Sequence, residues 1–238
     1  MVALDIYYNP AIQTIFWSVV TIGLYIVAKK IHRFYPTWLL APLAVTPVLV
    51  MIVVLFLKSD YRHYIGATHW LMLILGPVTV AFAIPIWQER QTIKHNWIIL
   101  FIGVFVGSLT AMTSAWGLAR LFQLDHSLTL SLIPRSMSTP FAMTVSSDIG
   151  GVPDLTAIFV VLTGVFGGAL GEFIMKVMPL RSRLAKGALF GMGAHGVGVA
   201  TAHNIGREEG SIAGLVMVLV GIVNVLLAPV IGWVLSLT

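Results

Sequence analysis

The sequence predicts an all-α polytopic membrane protein built from about eight transmembrane or re-entrant elements. Three observations predict it. Hydrophobic residues make up 58% of the 238 and charged residues only 10%, against roughly 25% charged in a soluble domain. Apolar runs of about 20 residues, enough to span a bilayer as a helix, follow one another along the chain. The polar loops between them are short and hold most of the Lys and Arg. A chain this apolar cannot cover its own surface with polar groups in water, so its solvent is lipid. Little length remains for a soluble domain, and 1–238 reads as one membrane domain.

The first span is expected over Ala11–Ala28, stopped by the basic cluster Lys29, Lys30, His32 and Arg33. The second runs from Trp38 to Leu57 with Pro42 and Pro47 inside it, and the polar loop Lys58–His63 follows. The third covers Ile65–Trp87 and contains Gly76-Pro77 and Pro85, where prolines interrupt the hydrogen-bond ladder. After Gln88–Asn96 come a fourth span, Trp97–Ala115, and a weaker fifth, Trp116–Ile133, interrupted by Asp125 and His126. The segment Pro134–Asp154 is too polar for an ordinary span. A clear span resumes over Leu155–Met178 and ends at Arg181, Arg183 and Lys186. The Gly-rich segment Gly187–Gly206 holds His195 and His203, and the last apolar run is Ile212–Leu237.

The net charge of +5 lies in the loops, where the positive-inside rule accounts for it without a nucleic-acid partner. If Lys29–Arg33 is cytoplasmic and every segment crosses once, Pro134–Asp154 included, the N-terminus lies outside. Lys58, Arg62, Arg120 and Arg207 then fall outside with it. Asp5 stands where a secretory signal would carry basic residues, so no signal peptide is expected. The absence of Cys excludes disulfides, thiolate metal sites and thiol catalysis. No nucleophile elbow, zinc-protease helix or phosphate loop is present, so the chain is not expected to be an enzyme or to hold a cofactor.

A weak internal repeat relates Gly103-Val-Phe-Val-Gly107-Ser-Leu109 to Gly164-Val-Phe-Gly-Gly168-Ala-Leu170, and Phe82-Ala-Ile84 to Phe141-Ala-Met143. Each copy, about 65–115 and 128–178, joins a proline-interrupted element to a Gly-rich helix, and the two are expected in inverted orientation. Inverted repeats with broken helices point to secondary transporters, because a break exposes half-helix N-termini at membrane depth. Gly-x-x-x-Gly spacing as plain helix packing is the competing explanation.

The candidate site residues follow from the breaks. Pro77 and Thr79 mark the first; Ser138, Thr139 and Pro140 mark the second, with Arg135 supplying charge to a bound carboxylate. An extramembrane loop with one interfacial arginine is the alternative there. His195 and Gly196 lie in the Gly-rich segment, and His195 and His203, eight residues apart, could share a helical face. Two His with no carboxylate between them make a poor metal site, so none is expected. Ionisable groups within membrane segments are functional candidates, which makes His195, Glu172 and Asp148 the candidates for proton coupling.

The run Ser138-Thr-Pro-Phe-Ala-Met-Thr-Val-Ser-Ser-Asp-Ile-Gly-Gly-Val-Pro-Asp154 and its continuation to Gly164 resemble the signature of the LrgB/CidB family. The run Gly193-Ala-His-Gly-Val-Gly-Val-Ala-Thr-Ala-His-Asn-Ile-Gly-Arg-Glu-Glu-Gly210 resembles it too. The specific motifs lie in the C-terminal half; the hydropathy pattern matches throughout. The resemblance implies a multi-pass protein of the bacterial inner membrane, working beside a small holin-like partner of the LrgA/CidA type. Bacterial members of the family are named antiholin-like and linked to control of murein hydrolases and lysis. The plant member is a plastidal glycolate/glycerate translocator, and some bacterial relatives are linked to pyruvate uptake. Two functions are therefore expected as alternatives. One is transport of small monocarboxylates such as glycolate, glycerate, pyruvate or lactate, with H⁺ coupling. The other is a holin/antiholin-like role in cell lysis. A homo-oligomer is expected in either case.

Overall fold

The computed structural model describes residues 9–35, 37 and 40–236. Asp5, the start of the expected second span at Trp38, and the end of the last run at Leu237 lie outside these residues. The described residues are mostly helical, and among them five helices are long and apolar enough to cross a membrane: Pro10–Phe34, Tyr61–Gln88, Arg90–Leu121, Pro153–Val177 and Arg207–Trp233. The chain divides after Val80 into two compact units, so the expected repeat copy 65–115 straddles the division.

The first unit is built on α1 (Pro10–Phe34), α2 (Pro42–Phe56) and α3 (Tyr61–Leu73). Asn9 caps α1 by accepting from the Ala11 N–H, with Pro10 at the first helical position. Polar edges of aromatic rings join α1 to α3. Trp70 Nε1 donates to Ser18 Oγ at 2.8 Å, Tyr64 and Thr21 hydroxyls lie 3.2 Å apart, and Trp17 meets the Tyr64 ring edge-on. The expected third span is broken into α3, α4 (Leu75–Ala81) and α5 (Ala83–Gln88). The last residues of α3 and α4, Leu73 and Ala81, are each four residues before a proline, Pro77 and Pro85. There the proline ring crowds the carbonyl and has no N–H to offer it.

The second unit holds α5, α6 (Arg90–Leu121), α7 (His126–Leu132), a 3₁₀ turn (Ile133–Ser136), α8 (Thr139–Asp148), α9 (Pro153–Val177), α10 (Arg183–Ile205) and α11 (Arg207–Ser236). The expected boundary between fourth and fifth spans at Ala115–Trp116 is not a break. Nothing in Ser114-Ala-Trp-Gly117 interrupts the ladder, and α6 continues to Leu121; Gln123, at φ +53°, ends it. Asp125 then caps α7 through the Leu128 N–H. The central helix is α11, whose Leu215, Val216, Val218 and Val220 are fully buried.

Pro134–Asp154 does not cross. α8 is 10 residues long, about 15 Å, half of a ~30 Å hydrocarbon core. After α8 the chain is back beside the end of α7. The Val152 N–H donates to Ser131 Oγ at 2.8 Å, and the Thr156 hydroxyl lies 2.9 Å from the Ser131 carbonyl and 2.7 Å from Ser146 Oγ. Gly151 packs so closely on Leu130 and Ser131 that an added Cβ would lie 3.0 Å from their backbone. Residues 126–152 thus form a hairpin, here hairpin A, with its tip at Met137 and Ser138.

These hydroxyls, all fully buried, tie both arms of hairpin A to α9. Thr156→Val keeps the shape and leaves Ser146 and the Ser131 carbonyl short of a partner. It is expected to lower stability by about 1–3 kcal/mol, read as a lower midpoint of thermal unfolding in detergent, while Thr156→Ser stays near the parent.

α10 is not one straight helix either. His195 has φ +45° and ψ −123° in its middle, a conformation that reverses the chain. A straight 23-residue helix would hold its ends about 34 Å apart, yet Arg183 pairs with Glu208 just beyond the far end. Gly187 packs on Ile212 and the Glu209 carbonyl, and Gly210 packs on His203. Residues 183–194 and 196–205 are therefore antiparallel arms of a second hairpin, hairpin B. This corrects two expectations. His195 and His203 share no face, because one is at the tip and the other near the base. Arg207 returns to the same side as Arg183, because the segment re-enters instead of crossing.

The base of hairpin A meets the start of α9, and the base of hairpin B follows its end. The two hairpins thus enter from opposite faces. Of the nine Lys and Arg in this unit, seven (Arg90, Lys94, Lys176, Arg181, Arg183, Lys186, Arg207) lie toward the base of hairpin B. Arg120 lies toward the base of hairpin A, and Arg135 near its tip. The positive-inside rule places the base of hairpin B in the cytoplasm.

Candidate functional site

The two tips meet at mid-depth. The His195 imidazole faces the backbone of Ser136 and the guanidinium of Arg135. Gly164, near the middle of α9, lies against Ala194 and His195; a Cβ there would sit 3.4 Å from the Ala194 carbonyl oxygen and 3.9 Å from His195 Nδ1. Gly167 and Gly168 continue this smooth strip, letting hairpin B lie on α9 through the Gly193 carbonyl and Val197. Mid-helix glycines thus bring a chain reversal to the centre of the unit.

Two polar atoms at this meeting point lack partners. His195 is 3% exposed, and its Nε2 has no hydrogen-bond partner among the described residues; Ser138 is 6% exposed, and its Oγ has none. Ser138 occupies the N-cap position of α8 without capping it through its side chain. An unpartnered buried polar group costs about 1–3 kcal/mol, and one at the tip of each hairpin makes the tips the candidate place for a polar ligand.

Backbone polarity favours an anion there. α8 starts at one tip, and the arm 196–205 starts at the other, so two ten-residue helices begin at the same centre. Their first N–H groups lack intrahelical acceptors and carry the positive ends of the helix dipoles. Pro140, at the second position of α8, removes one of those donors without cost to the helix. Arg135, half-buried, adds a full positive charge and is the one charged residue lining an open cleft of about 380 Å³ between α6 and α9, with Ala119, Leu132, Phe159 and Phe166.

The structure brings together Arg135, Ser138, Thr139, Pro140, His195 and Gly196 from the expected set. Asp148 and Glu172 are not at the tips. Asp148 ends α8 at the exposed base of hairpin A, and Glu172 is exposed toward the end of α9. Pro77 and Thr79 belong to the first unit, where Pro77 is exposed and the Thr79 hydroxyl is used within its own helix, donating to the Leu75 carbonyl at 2.7 Å. Gly164 entered the sequence reading through the repeat and the family-like run and Ser146 as one hydroxyl of the polar segment, neither as a site residue; Ser131 and Thr156 were not singled out. Asn224, buried in α11 and donating to Ser108 of α6 at 3.1 Å, was also missed, since one amide in an apolar run carries no pattern. Among the described residues no group of three His, Cys, Asp or Glu could hold a metal.

Comparison with known proteins gives one consistent result. The family model described as "LrgB-like family" matches residues 21–234. The uncharacterized protein YwbG of Bacillus subtilis is 35% identical over 88% of this chain and 93% of its own length. The holin-like protein CidB of Staphylococcus epidermidis is 28% identical over 93% of this chain and 97% of its own, and CidB of Staphylococcus aureus (strain Mu50) matches to the same extent. No solved structure matches. The chain is a multi-pass α-helical membrane protein and belongs to the LrgB-like family.

Proposed function

We propose that this protein moves a small monocarboxylate across the membrane, with the anion held between the tips of hairpins A and B. One observation carries the reading: two re-entrant hairpins from opposite faces each carry an unpartnered buried polar atom at the tip, Ser138 Oγ on one and His195 Nε2 on the other. A hairpin with its following helix, 126–177, recurs as 183–236 in the opposite orientation. This pairing differs from the sequence repeat of 65–115 with 128–178, and it supplies the symmetry that alternating access uses. Each hairpin closes the site toward the face it enters from, so moving one at a time opens the site to one side.

Glycolate, glycerate, pyruvate and lactate all present the single carboxylate that such a centre suits. Uptake of an anion into a negative cell interior works against about 2.3 kcal/mol per charge per 100 mV. Symport with H⁺ removes that cost, and in this reading His195 relays the proton. No covalent step is involved, and the protein is not an enzyme in this reading.

A second reading comes from the relatives. The name "holin-like protein CidB" carried by these relatives favours a holin- or antiholin-like membrane protein more directly than a transporter. It would act with a small LrgA/CidA-type partner, and as a homo-oligomer, to modulate murein hydrolase activity and lysis. The two readings part in proteoliposomes holding the purified chain. A transporter gives saturable uptake of labelled glycolate or pyruvate, stimulated by an inward proton gradient and not competed by a sugar. Equal passage of sugar and acid, or no passage without the small partner, would favour the holin-like role.

A further inference from the structure

We propose that the groove between α6 and the first arm of hairpin B holds an acyl chain of an anionic phospholipid from the cytoplasmic leaflet. The inference stands apart from the transport reading. The groove encloses about 580 Å³ between Leu100, Gly103 and Val104 on α6 and Leu184, Ala188 and Met192 on the hairpin, and no charged side chain among the described residues lines it. Its floor is open where side chains could have filled it: a Cβ at Gly103 or at the adjoining Gly193 would meet nothing within 4 Å. One end of the groove reaches Ser182, between Arg181 and Arg183 at the basic face.

Charge selects the lipid. Arg181 and Lys94 are exposed and Lys186 is partly so. None has a carboxylate within ion-pair distance among the described residues, where the one ion pair joins Arg183 to Glu208. Three of the acids toward this face are otherwise engaged, and the fourth, Glu172, does not line the groove. Glu89 accepts from the Thr92 hydroxyl, and Glu209 is buried against Gly206 at the start of α11. A headgroup phosphate at the mouth would meet unpaired cations, while its chain would run down an apolar channel as deep as Met192 and Gly193, two residues from His195. The positive-inside assignment puts this mouth in the leaflet where anionic lipids concentrate. A bound lipid would therefore brace the arm whose tip carries His195.

The test is native mass spectrometry of the purified protein after equilibration with phosphatidylglycerol or phosphatidylcholine. The parent is expected to retain phosphatidylglycerol about 100-fold more strongly, as three basic side chains at a membrane surface would give. Neutralising Lys94→Gln, Arg181→Gln and Lys186→Gln together should bring it to the phosphatidylcholine level. Ala188→Trp, which fills the groove, should remove retention of both, and Gly103→Leu repeats the test should the tryptophan variant misfold. Equal retention of the two lipids, retention unchanged by a folded groove-filling variant, or lipid-free dimers with a second copy in the groove would overturn the proposal.

Discussion

His195→Gly is expected to leave the protein folded and well expressed while cutting carboxylate uptake by roughly 10–150-fold. The fold range follows from losing one hydrogen bond to a charged group, about 1.5–3 kcal/mol. The backbone side of this prediction rests on φ +45° at residue 195, in the region that glycine adopts freely and other residues adopt at a cost of about 1–3 kcal/mol. The turn at residue 195 asks for glycine, and an imidazole stands there instead. A strained residue retained where glycine would be more stable is the signature of a side chain with a task. His195→Gly thus separates two roles that His195→Ala confounds, since alanine loses the imidazole and keeps the strain. Ser138→Ala removes the second unpartnered atom and should act in the same direction. Its cap role is already unused, so helix α8 loses nothing. The readout is initial uptake of labelled glycolate into proteoliposomes, normalised to reconstituted protein and paired with unfolding midpoints. Normal uptake in both variants would remove the tips as the substrate site. Low uptake with a lowered midpoint would show His195 to be structural.

How much of this was legible beforehand depended on whether chemistry or geometry carried the signal. The break at Ser138-Thr139-Pro140 could be read directly, because proline and hydroxyl residues between apolar runs leave a helix few alternatives. The prolines of the third span also mark their own breaks, four residues upstream. The reversal at His195 could not be read. Gly187–Gly206 is Gly-rich, which permits close packing or an unwound stretch without saying which, and a single left-handed residue turns it around with no proline or polar loop to mark the place. For the same reason, hydropathy and loop-charge counting assigned Arg207 to the wrong side: a re-entrant hairpin looks like a span when only its length and polarity are counted. The pairing of 126–177 with 183–236 is likewise one of shape. The residues that make it, such as Ser131 with Thr156 in one hairpin and Gly198 against Phe190 in the other, have no common motif.

Gly167→Ala is expected to destabilise the second unit by several kcal/mol, and its sign runs against ordinary helix propensity. Within an exposed helix, replacing Gly by Ala gains about 1 kcal/mol. At Gly167 the added Cβ would overlap the Gly193 carbonyl oxygen, a backbone atom that cannot rotate away. Relief requires hairpin B to leave the surface of α9, and overpacking of this kind costs about 1–3 kcal/mol or more. The departure also separates the hairpin tips, since Gly164 and Gly168 lie on the same strip, so uptake should fall along with stability. Gly117→Ala supplies the contrast. It also lies within a long helix, α6, but a Cβ there meets nothing within 4 Å, so the same substitution should be neutral or slightly stabilising. Thermal unfolding of both variants in one detergent decides between packing and propensity. A drop at Gly167 alone means that hairpin B is seated on the glycine strip of α9. Equal midpoints would mean that the strip is not the seat of the hairpin, and that the meeting of the two tips is held by other contacts.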